Sequence, residues 1–411
     1  MTRGAALADR IEAVRPAVAE VARETPVLRS YVLSERFDTD VVLKAECLQR
    51  TGSFKVRGAT AKLASLPEPP RAVVTGSAGN HAQAVAFAAR ARGVRCEVFM
   101  PRGAAVSKVA AVEEFGAGVK LIDGPVDDCL ERAGELADAA EGYVFAHPFD
   151  DPEVIAGQGT VGLELLEQVS DLERVVVPIG GGGLASGIAI AVKSKRPGVQ
   201  VIGVQAEACA PFPESLAAGE PRAVEPRPTI ADGIALKRPG ELTLGLVGEW
   251  VDDVVLVGED EIAGAIVFLL EKSKLLVEGA GAAGFAALLS ERVDITGPGT
   301  TAVLLSGGNI DAGLLASLVR RTETERGRRL RLFSSVPDVP GGMVAFLRHI
   351  AELDGNLVSV EHVREGVPLG VQETGVVVTV ETRGPEHAAT VIEALSGAGY
   401  EVQLYSEAPP A

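Results

Sequence analysis

The stretch Val175-Val-Val-Pro-Ile-Gly-Gly-Gly-Gly-Leu184 holds the pattern from which the fold of this 411-residue chain can be worked out. It begins with an apolar, β-branched run, Val175–Ile179, continues with four glycines, and leads into an alanine-rich segment, Leu184–Lys193. A continuously apolar run of this length is typical of a strand buried on both faces of a parallel sheet. We therefore predict a strand, a glycine loop and a helix, which is the repeating unit of an α/β protein.

The same alternation extends over most of the chain and predicts a doubly wound α/β fold up to about residue 320. We expect each of these strands to be buried on both faces, because each run is continuously apolar. The further predicted strands are Val73–Thr75, Cys96–Met100, Val119–Ile122, Val201–Gln205, Val254–Val257 and Ala302–Leu305, and the further helices are His81–Arg92 and Ser107–Phe115.

The pattern changes after residue 320. Residues 321–329 are charged and have no apolar face, so we predict a linker there, between a first domain at 1–320 and a second at 330–411. The second domain follows the β-α-β-β-α-β order of a ferredoxin-like fold. Its predicted strands are Leu330–Val336, Leu357–Val363, Gly375–Val380 and Val402–Tyr405, and its predicted helices are Met343–Leu353 and Pro385–Ser396.

The composition excludes several classes of protein. There are 39 basic and 56 acidic residues, and the resulting net charge of −17 repels nucleic-acid phosphates. No uninterrupted apolar run reaches the ~18 residues of a membrane span, and the first ten residues lack the apolar core of a signal peptide. The four cysteines are far apart, which fits a reducing cytoplasm. The five histidines form no ligand-spaced cluster, so we expect no bound metal.

A lysine lies at a predicted helix start in Thr51-Gly-Ser-Phe-Lys-Val-Arg-Gly-Ala59. We predict that Ser53 caps this helix, which places Lys55 in its first turn. The positive end of a helix disfavours an ammonium group, and desolvation would lower the pKa of the amine further and make it a nucleophile. The same spacing also fits an ordinary surface lysine at a helix start.

Three loops that follow predicted strands could bind ligands. Gly180–Gly183 could wrap a phosphate with backbone N–H groups, and it matches neither the dinucleotide-binding nor the P-loop motif, so the phosphate would belong to another cofactor. A flexible turn is the alternative. Ser77–Gln83 could hold a carboxylate, although Ser77 or Asn80 could simply cap the next helix. The third loop is Ser306–Asn309, and ligands bind beyond the carboxyl ends of parallel strands.

Together, these motifs resemble those of the threonine dehydratase (threonine ammonia-lyase) family of fold-type II pyridoxal-phosphate enzymes, in order and in spacing, over about residues 10–320. The resemblance implies a tryptophan synthase beta-like fold with two doubly wound α/β subdomains. The C-terminal segment Asp338–Gly342, which precedes a predicted helix, resembles an ACT regulatory domain. That resemblance implies a homo-oligomer (dimer or tetramer) and an amino-acid effector, isoleucine or valine, at the loop Val336–Gly342.

The family resemblance also implies how pyridoxal phosphate is held. Lys55 would bind it through a Schiff base, and Phe54 would pack against the ring or the lysine. Asn80 would hydrogen-bond the ring hydroxyl, and Ser306 would face the ring nitrogen. The phosphate would be bound by Gly180, Gly181, Gly182, Gly183 and Leu184. Gly233 and Glu278 match family positions beside the cofactor, although an ordinary helix-start carboxylate would explain Glu278 equally well.

The implied reaction is the dehydration and deamination of L-threonine to 2-oxobutanoate and ammonia, and of L-serine to pyruvate, in isoleucine biosynthesis or threonine catabolism. Lys55 would remove the α-proton as a general base. The substrate carboxylate would be held by Ser77, Ala78, Gly79, Asn80 and His81.

Three alternatives are open. Serine racemases resemble the chain throughout but carry a second serine where Ala78 stands, and a methyl group cannot supply the proton that racemisation needs. Their metal site uses acidic residues after a strand, whereas here Glu207 has no second carboxylate in residues 208–213. A β-replacing cysteine synthase-like enzyme fits the C-terminal domain poorly. A non-catalytic amino-acid sensor would not need an intact Lys55.

Overall fold

The computed structural model describes residues 3–404 and divides into two compact units, which meet in sequence between Ile310 and Asp311. The first unit contains two sheets. Its strands are β1 Val27–Arg29, β2 Val41–Lys44, β3 Ala72–Gly76, β4 Arg95–Pro101, β5 Gly118–Ile122, β6 Tyr143–Phe145, β7 Leu172–Pro178, β8 Gln200–Ala206, β9 Asp253–Val257 and β10 Thr300–Leu304.

Twelve α-helices cover these sheets in the described part of the first unit. They are α1 Arg3–Val21, α2 Tyr31–Phe37, α3 Lys55–Ala64, α4 Asn80–Ala91, α5 Val106–Glu114, α6 Val126–Ala139, α7 Pro152–Gln168, α8 Gly183–Lys195, α9 Pro211–Ala218, α10 Glu241–Trp250, α11 Glu259–Phe268 and α12 Gly279–Leu289. Short 3₁₀ turns lie at Glu46–Leu48 and Asp232–Ile234, and a π-helical turn lies at Leu269–Ser273.

One sheet has six strands in the order β1-β2-β10-β7-β8-β9, and all of its pairings are parallel except β1 with β2. The other has four parallel strands in the order β5-β4-β3-β6. Two predominantly parallel sheets with helices between consecutive strands confirm the predicted α/β class.

Burial within the sheets follows the prediction in the central strands only. The strands β3, β7, β8 and β10 are buried along most of their length, as their apolar runs predict. The prediction of full burial is wrong for Val119–Ile122 and Val254–Val257, which are largely half-buried or exposed. Both segments form edge strands, β5 and β9, so each has a neighbouring strand on one side only.

The second unit is a four-stranded antiparallel sheet in the order β12-β13-β11-β14. Its elements are α13 Ala312–Glu325, β11 Arg329–Pro337, α14 Gly342–Glu352, β12 Asn356–Val363, β13 Glu373–Glu381, α15 Pro385–Gly397 and β14 Val402–Leu404. The predicted β-α-β-β-α-β order is present, with Phe346 and Ile350 of α14 packed in a core with Val378 and Val391. Tyr405, which ends the last predicted strand, lies outside the described residues.

The predicted linker at 321–329 is largely helical. Asp311 begins α13 by accepting hydrogen bonds from the backbone N–H groups of Gly313 and Leu314, and the helix continues to Glu325. An ion pair one turn apart, between Arg321 and Glu325, supports the charged final turn. Only residues 326–328 separate α13 from β11. Once a helix has started, each further residue adds a backbone hydrogen bond, so the helix can continue into residues without an apolar face. Within residues 3–404, no helix has the length and apolar content that crossing a bilayer requires.

Candidate active site

A cavity of about 390 Å³ in the first unit is lined by the segments that follow β3, β7 and β10. This position agrees with the rule that ligands bind beyond the carboxyl ends of parallel strands. The cavity brings together all the residues that the sequence assigns to cofactor or substrate: Phe54, Lys55, Ser77, Ala78, Gly79, Asn80, His81, Gly180, Gly181, Gly182, Gly183, Leu184, Gly233, Glu278 and Ser306.

Lys55 is the first residue of α3, and its amine points into the cavity. Nζ donates a hydrogen bond to the backbone carbonyl of Pro148 at 2.8 Å and lies 5.1 Å from the centre of the Phe54 ring. Burial lowers the pKa of Lys55 to about 8, against an opposing attraction from Glu278. The amine is therefore far more available as a nucleophile than a lysine on the outer surface.

Ser53 does not cap α3, so that prediction is wrong. The backbone of Phe54 is already helical at this end, and the structure shows no side-chain cap. Ser53 instead forms an isolated β-bridge with Gly307, and the N–H of Phe54 donates to the carbonyl of Ser306 at 3.1 Å. The chain before Lys55 is thus held by the loop after β10, and this extended pairing keeps the Ser53 hydroxyl away from the helix end.

The glycine loop after β7 is tightly packed, which argues against the flexible-turn alternative. A Cβ atom on Gly181 would lie 2.1 Å from the Phe149 ring, and one on Gly183 would lie 2.8 Å from the Phe149 carbonyl. Gly182 has a φ of +89° and precedes α8, whose first turn has no side-chain cap. The N–H groups at this helix start are available to an anion, so the loop fits a phosphate group.

The loop after β3 holds its polar groups differently from the prediction. Neither Ser77 nor Asn80 caps α4, because Gly79 occupies the N-cap position. The Ser77 hydroxyl accepts a hydrogen bond from the N–H of Gly79 at 3.2 Å, which tightens the turn. Nε2 of His81 contacts the carbonyl of Ala146 at 2.9 Å, and burial lowers the pKa of this imidazole to about 3, so it is neutral.

The Asn80 side chain takes part in a network that the sequence did not indicate. Its Nδ2 donates to Oε1 of Glu278 at 2.6 Å, and its Oδ1 accepts from Nδ2 of Asn309 at 2.7 Å. Glu278 occupies the N-cap position of α12 without a side-chain cap hydrogen bond, and its carboxylate accepts instead from Asn80. Asn309 lies in the same predicted ligand loop as Ser306. That position is the only sequence signal that could have indicated its part in the site.

A buried ionic cluster behind Lys55 was also missed. Arg57, two residues further along α3, pairs with Glu46 and Glu164, and Lys44 donates to Glu164 at 2.5 Å. The side chains of Arg57 and Glu46 are 1% and 0% exposed. In the part of the chain that the structure describes, no group of three or more histidine, cysteine or acidic residues could hold a metal ion.

Residues 18–307 match the family described as pyridoxal-phosphate dependent enzyme, and the chain belongs to this family. The L-threonine ammonia-lyase of Thermotoga maritima is 45% identical over 388 residues, which cover 93% of this chain and 96% of that relative. Two solved structures are also similar. The T.th. threonine deaminase has 41% identity and a TM-score of 0.69, covering 74% of this chain and 98% of its own. The maize serine racemase has 34% identity and a TM-score of 0.70, and the match covers 77% of this chain and 98% of the racemase chain.

These similarities confirm the predicted fold-type II class and the dependence on pyridoxal phosphate. The cavity fits this cofactor on its own evidence. It offers a primary amine of lowered pKa at Lys55, as an aldehyde requires, and a packed glycine loop at a helix start, as a phosphate requires.

Proposed function

We propose that the chain is a threonine ammonia-lyase, which converts L-threonine to 2-oxobutanoate and ammonia and L-serine to pyruvate and ammonia. The observation that carries this proposal is the placement of the Lys55 amine in one cavity with the glycine loop after β7 and the polar loop after β3. The identity of 45% to the Thermotoga maritima L-threonine ammonia-lyase supports the choice of substrate.

In this proposal, the N–H groups of Gly180–Gly183 and Leu184 would hold the phosphate, and Asn80 would donate a hydrogen bond to the ring oxygen. Ser306, which lines the same cavity, would face the ring nitrogen. Pyridoxal phosphate, when bound, withdraws electrons from the α-carbon of the amino acid and so acidifies the α-proton. A neutral hydroxyl at Ser306 cannot keep the ring nitrogen protonated as a carboxylate would. The weaker electron withdrawal suits β-elimination, in which the negative charge leaves quickly with the β-hydroxyl.

Lys55 supplies the base for the reaction. When it is not bonded to the cofactor, the Lys55 amine lies in a desolvated position, where the ammonium form is disfavoured. It then accepts the α-proton. The loop from Ser77 to His81 offers the Ser77 hydroxyl and the backbone at the start of α4 to the substrate carboxylate, which fixes the α-carbon relative to Lys55.

A racemase is the second candidate, because the maize serine racemase is 34% identical to this chain. Racemisation needs an acid that returns a proton to the face of the substrate opposite Lys55. The side chain at the relevant loop position is the methyl group of Ala78, which is partly buried and packs against the apolar core. A methyl group carries no exchangeable proton, so Ala78 favours elimination over racemisation.

The test is to incubate the holoenzyme with L-threonine and to measure 2-oxobutanoate and ammonia, with Lys55→Ala as the control. Equal amounts of both products from the native chain, and none from Lys55→Ala, are the expected result. D-Serine formed from L-serine without pyruvate would instead identify a racemase. An absence of turnover in a protein that binds amino acids at its C-terminal unit would identify a sensor.

The C-terminal unit is proposed to be an ACT-like regulatory domain within a homo-oligomer. Its ferredoxin-like strand order supports this assignment. The loop between β11 and α14 ends at Gly341, which has a φ of +90°. A Cβ atom on the next residue, Gly342, would lie 2.2 Å from the carbonyl of Pro337, so the backbone folds closely here. This loop is the proposed site for isoleucine or valine.

A further inference from the structure

Four groups beside the cavity form a hydrogen-bonded relay, which we call the amide relay: the carbonyl of Thr51 and the side chains of Asn309, Asn80 and Glu278. Nδ2 of Asn309 donates both to the Thr51 carbonyl at 2.9 Å and to Oδ1 of Asn80 at 2.7 Å. Nδ2 of Asn80 in turn donates to Oε1 of Glu278 at 2.6 Å. The relay joins three loops of the first unit, which follow β2, β3 and β10, to the start of α12.

The chemistry of the two ends fixes the orientation of both amides. A backbone carbonyl can only accept hydrogen bonds, so the NH₂ group of Asn309 must face Thr51. Because that NH₂ group also faces Asn80, the Asn80 side chain presents its oxygen on this side and its NH₂ group to Glu278. A carboxyl oxygen that carries no proton is likewise an acceptor only, so with Oε1 of Glu278 in this form both ends impose the same orientation.

This orientation determines what Asn80 can offer to the cavity. One N–H of its Nδ2 is engaged by Glu278, and its Oδ1 is engaged by Asn309, so the second N–H is the donor that remains. If the amide turned over, the oxygen would take the place of this donor and would repel another oxygen. A fixed amide therefore supplies a hydrogen-bond donor without an orientational penalty when the ligand binds.

The surroundings of Glu278 show that its place is closely defined. A Cβ atom on Gly307 would lie 2.1 Å from Oε1 of Glu278, so only a glycine leaves room for the carboxylate. The charged groups that interact electrostatically with Glu278 are Asp232, Lys108 and Lys55. The Cys47 thiol also interacts electrostatically with Glu278. Burial, and then the like charge of Asp232, raise the pKa of Glu278 to about 7.

We propose that Glu278 and Asn309 are positioning residues that hold the Asn80 amide with its N–H toward the ring oxygen of pyridoxal phosphate. This inference rests on the proposed role of Asn80. It assigns to Asn309 a function that its sequence position alone does not give, and it explains why a carboxylate lies beside an amide that faces the cofactor.

The test compares three variants of the full chain for binding of pyridoxal phosphate to the apoprotein, measured by equilibrium dialysis, and for the visible absorption spectrum of the holoprotein. Glu278→Gln can still accept from Asn80 through its amide oxygen and preserves the relay. Glu278→Leu removes the acceptor, and Asn309→Asp replaces a donor by an acceptor that opposes the Thr51 carbonyl. Glu249→Gln on the exposed surface of α10 is the matched control.

We expect Glu278→Gln to bind within about twofold of Glu249→Gln, and Glu278→Leu and Asn309→Asp to bind about tenfold more weakly, as for the loss of one hydrogen bond. The two weak binders should also show a shifted absorption maximum, which a general loss of stability would not produce. Should Glu278→Leu fail to fold, Asn309→Ser replaces it in the comparison. This variant has a smaller side chain that lacks the amide donor.

Asn80→Ala separates the two ways in which the inference can fail. If Asn80→Ala binds the cofactor as tightly as the control, the proposed role of Asn80 is wrong, and the inference falls with it. If Asn80→Ala binds weakly while Glu278→Leu and Asn309→Asp bind like the control with an unchanged spectrum, Asn80 contacts the cofactor but the relay does not position it. Either result overturns the inference.

Discussion

The guanidinium of Arg57 donates two hydrogen bonds to the carboxylate of Glu46, from Nε and from Nη2, each 2.8 Å long. The same guanidinium donates to both carboxylate oxygens of Glu164 in α7, at 2.6 and 2.9 Å. Burial disfavours the charged form of Glu46, but the Arg57 guanidinium outweighs this effect and holds the pKa of Glu46 below its usual value. Because Arg57 lies two residues after Lys55, these bonds fix the helix that presents the reactive amine.

Arg57→Met should lower the free energy of unfolding by about 3–5 kcal/mol, because it leaves two buried carboxylates without their main partner. Urea denaturation of the apoprotein measures this loss. Arg15→Met is the matched control, since Arg15 pairs with Glu167 of the same helix at an exposed position, where an ion pair contributes at most about 1 kcal/mol. Equal losses in the two variants would show that the buried cluster does not stabilise the fold.

The rate at which the apoprotein takes up pyridoxal phosphate should rise with pH, with a midpoint near the lowered pKa of Lys55, about 8. Only the neutral amine attacks the aldehyde. With a pKa of about 8, about one-tenth of Lys55 is neutral at pH 7, whereas an unperturbed lysine would be almost wholly charged. Stopped-flow absorbance across pH 6–10 (about the range over which the amine titrates) measures the profile. A midpoint close to that of free lysine would contradict the burial of this amine.

Ala78→Ser should add racemisation of serine to the activity of the native chain, because the new hydroxyl would supply a proton donor in the substrate loop. Chiral chromatography of the unreacted serine measures it, while pyruvate formation is followed in parallel. Ala78→Val, which adds bulk but no proton, is the control and should show no racemisation. Rapid racemisation by the native chain itself would refute the role assigned to Ala78.

A chain truncated after Ile310 should keep threonine dehydration but lose any response to isoleucine or valine. The boundary is chosen from the structure, because α13 belongs to the C-terminal unit and contributes the buried Leu318. The full-length chain should respond by an amount that corresponds to about 1–3 kcal/mol of coupling. If the full-length enzyme ignores these and other common amino acids across a range of threonine concentrations, the regulatory proposal fails.

The sequence by itself determined the parts of this protein that depend on neighbouring residues. The apolar run of β7, the glycines after it and the helix α8 are local patterns, and they predict a strand, a loop and a helix wherever the chain places them. The order of such units predicts the α/β class and the ferredoxin-like C-terminal unit. The motif around Lys55 and the loops after strands then indicate the site, because parallel strands bring their carboxyl ends to one edge.

Tertiary structure decided everything that depends on partners distant in sequence. Arg57 and Glu164 are 107 positions apart, and Asn80 and Asn309 are 229 apart, so no local pattern could pair them. The same reason explains the failed predictions: Ser53 is drawn into a β-bridge with Gly307, and β5 is exposed because no strand lies beyond it. Local sequence sets the conformation that a segment prefers, whereas burial and hydrogen-bond partners are set by which segments the fold brings together.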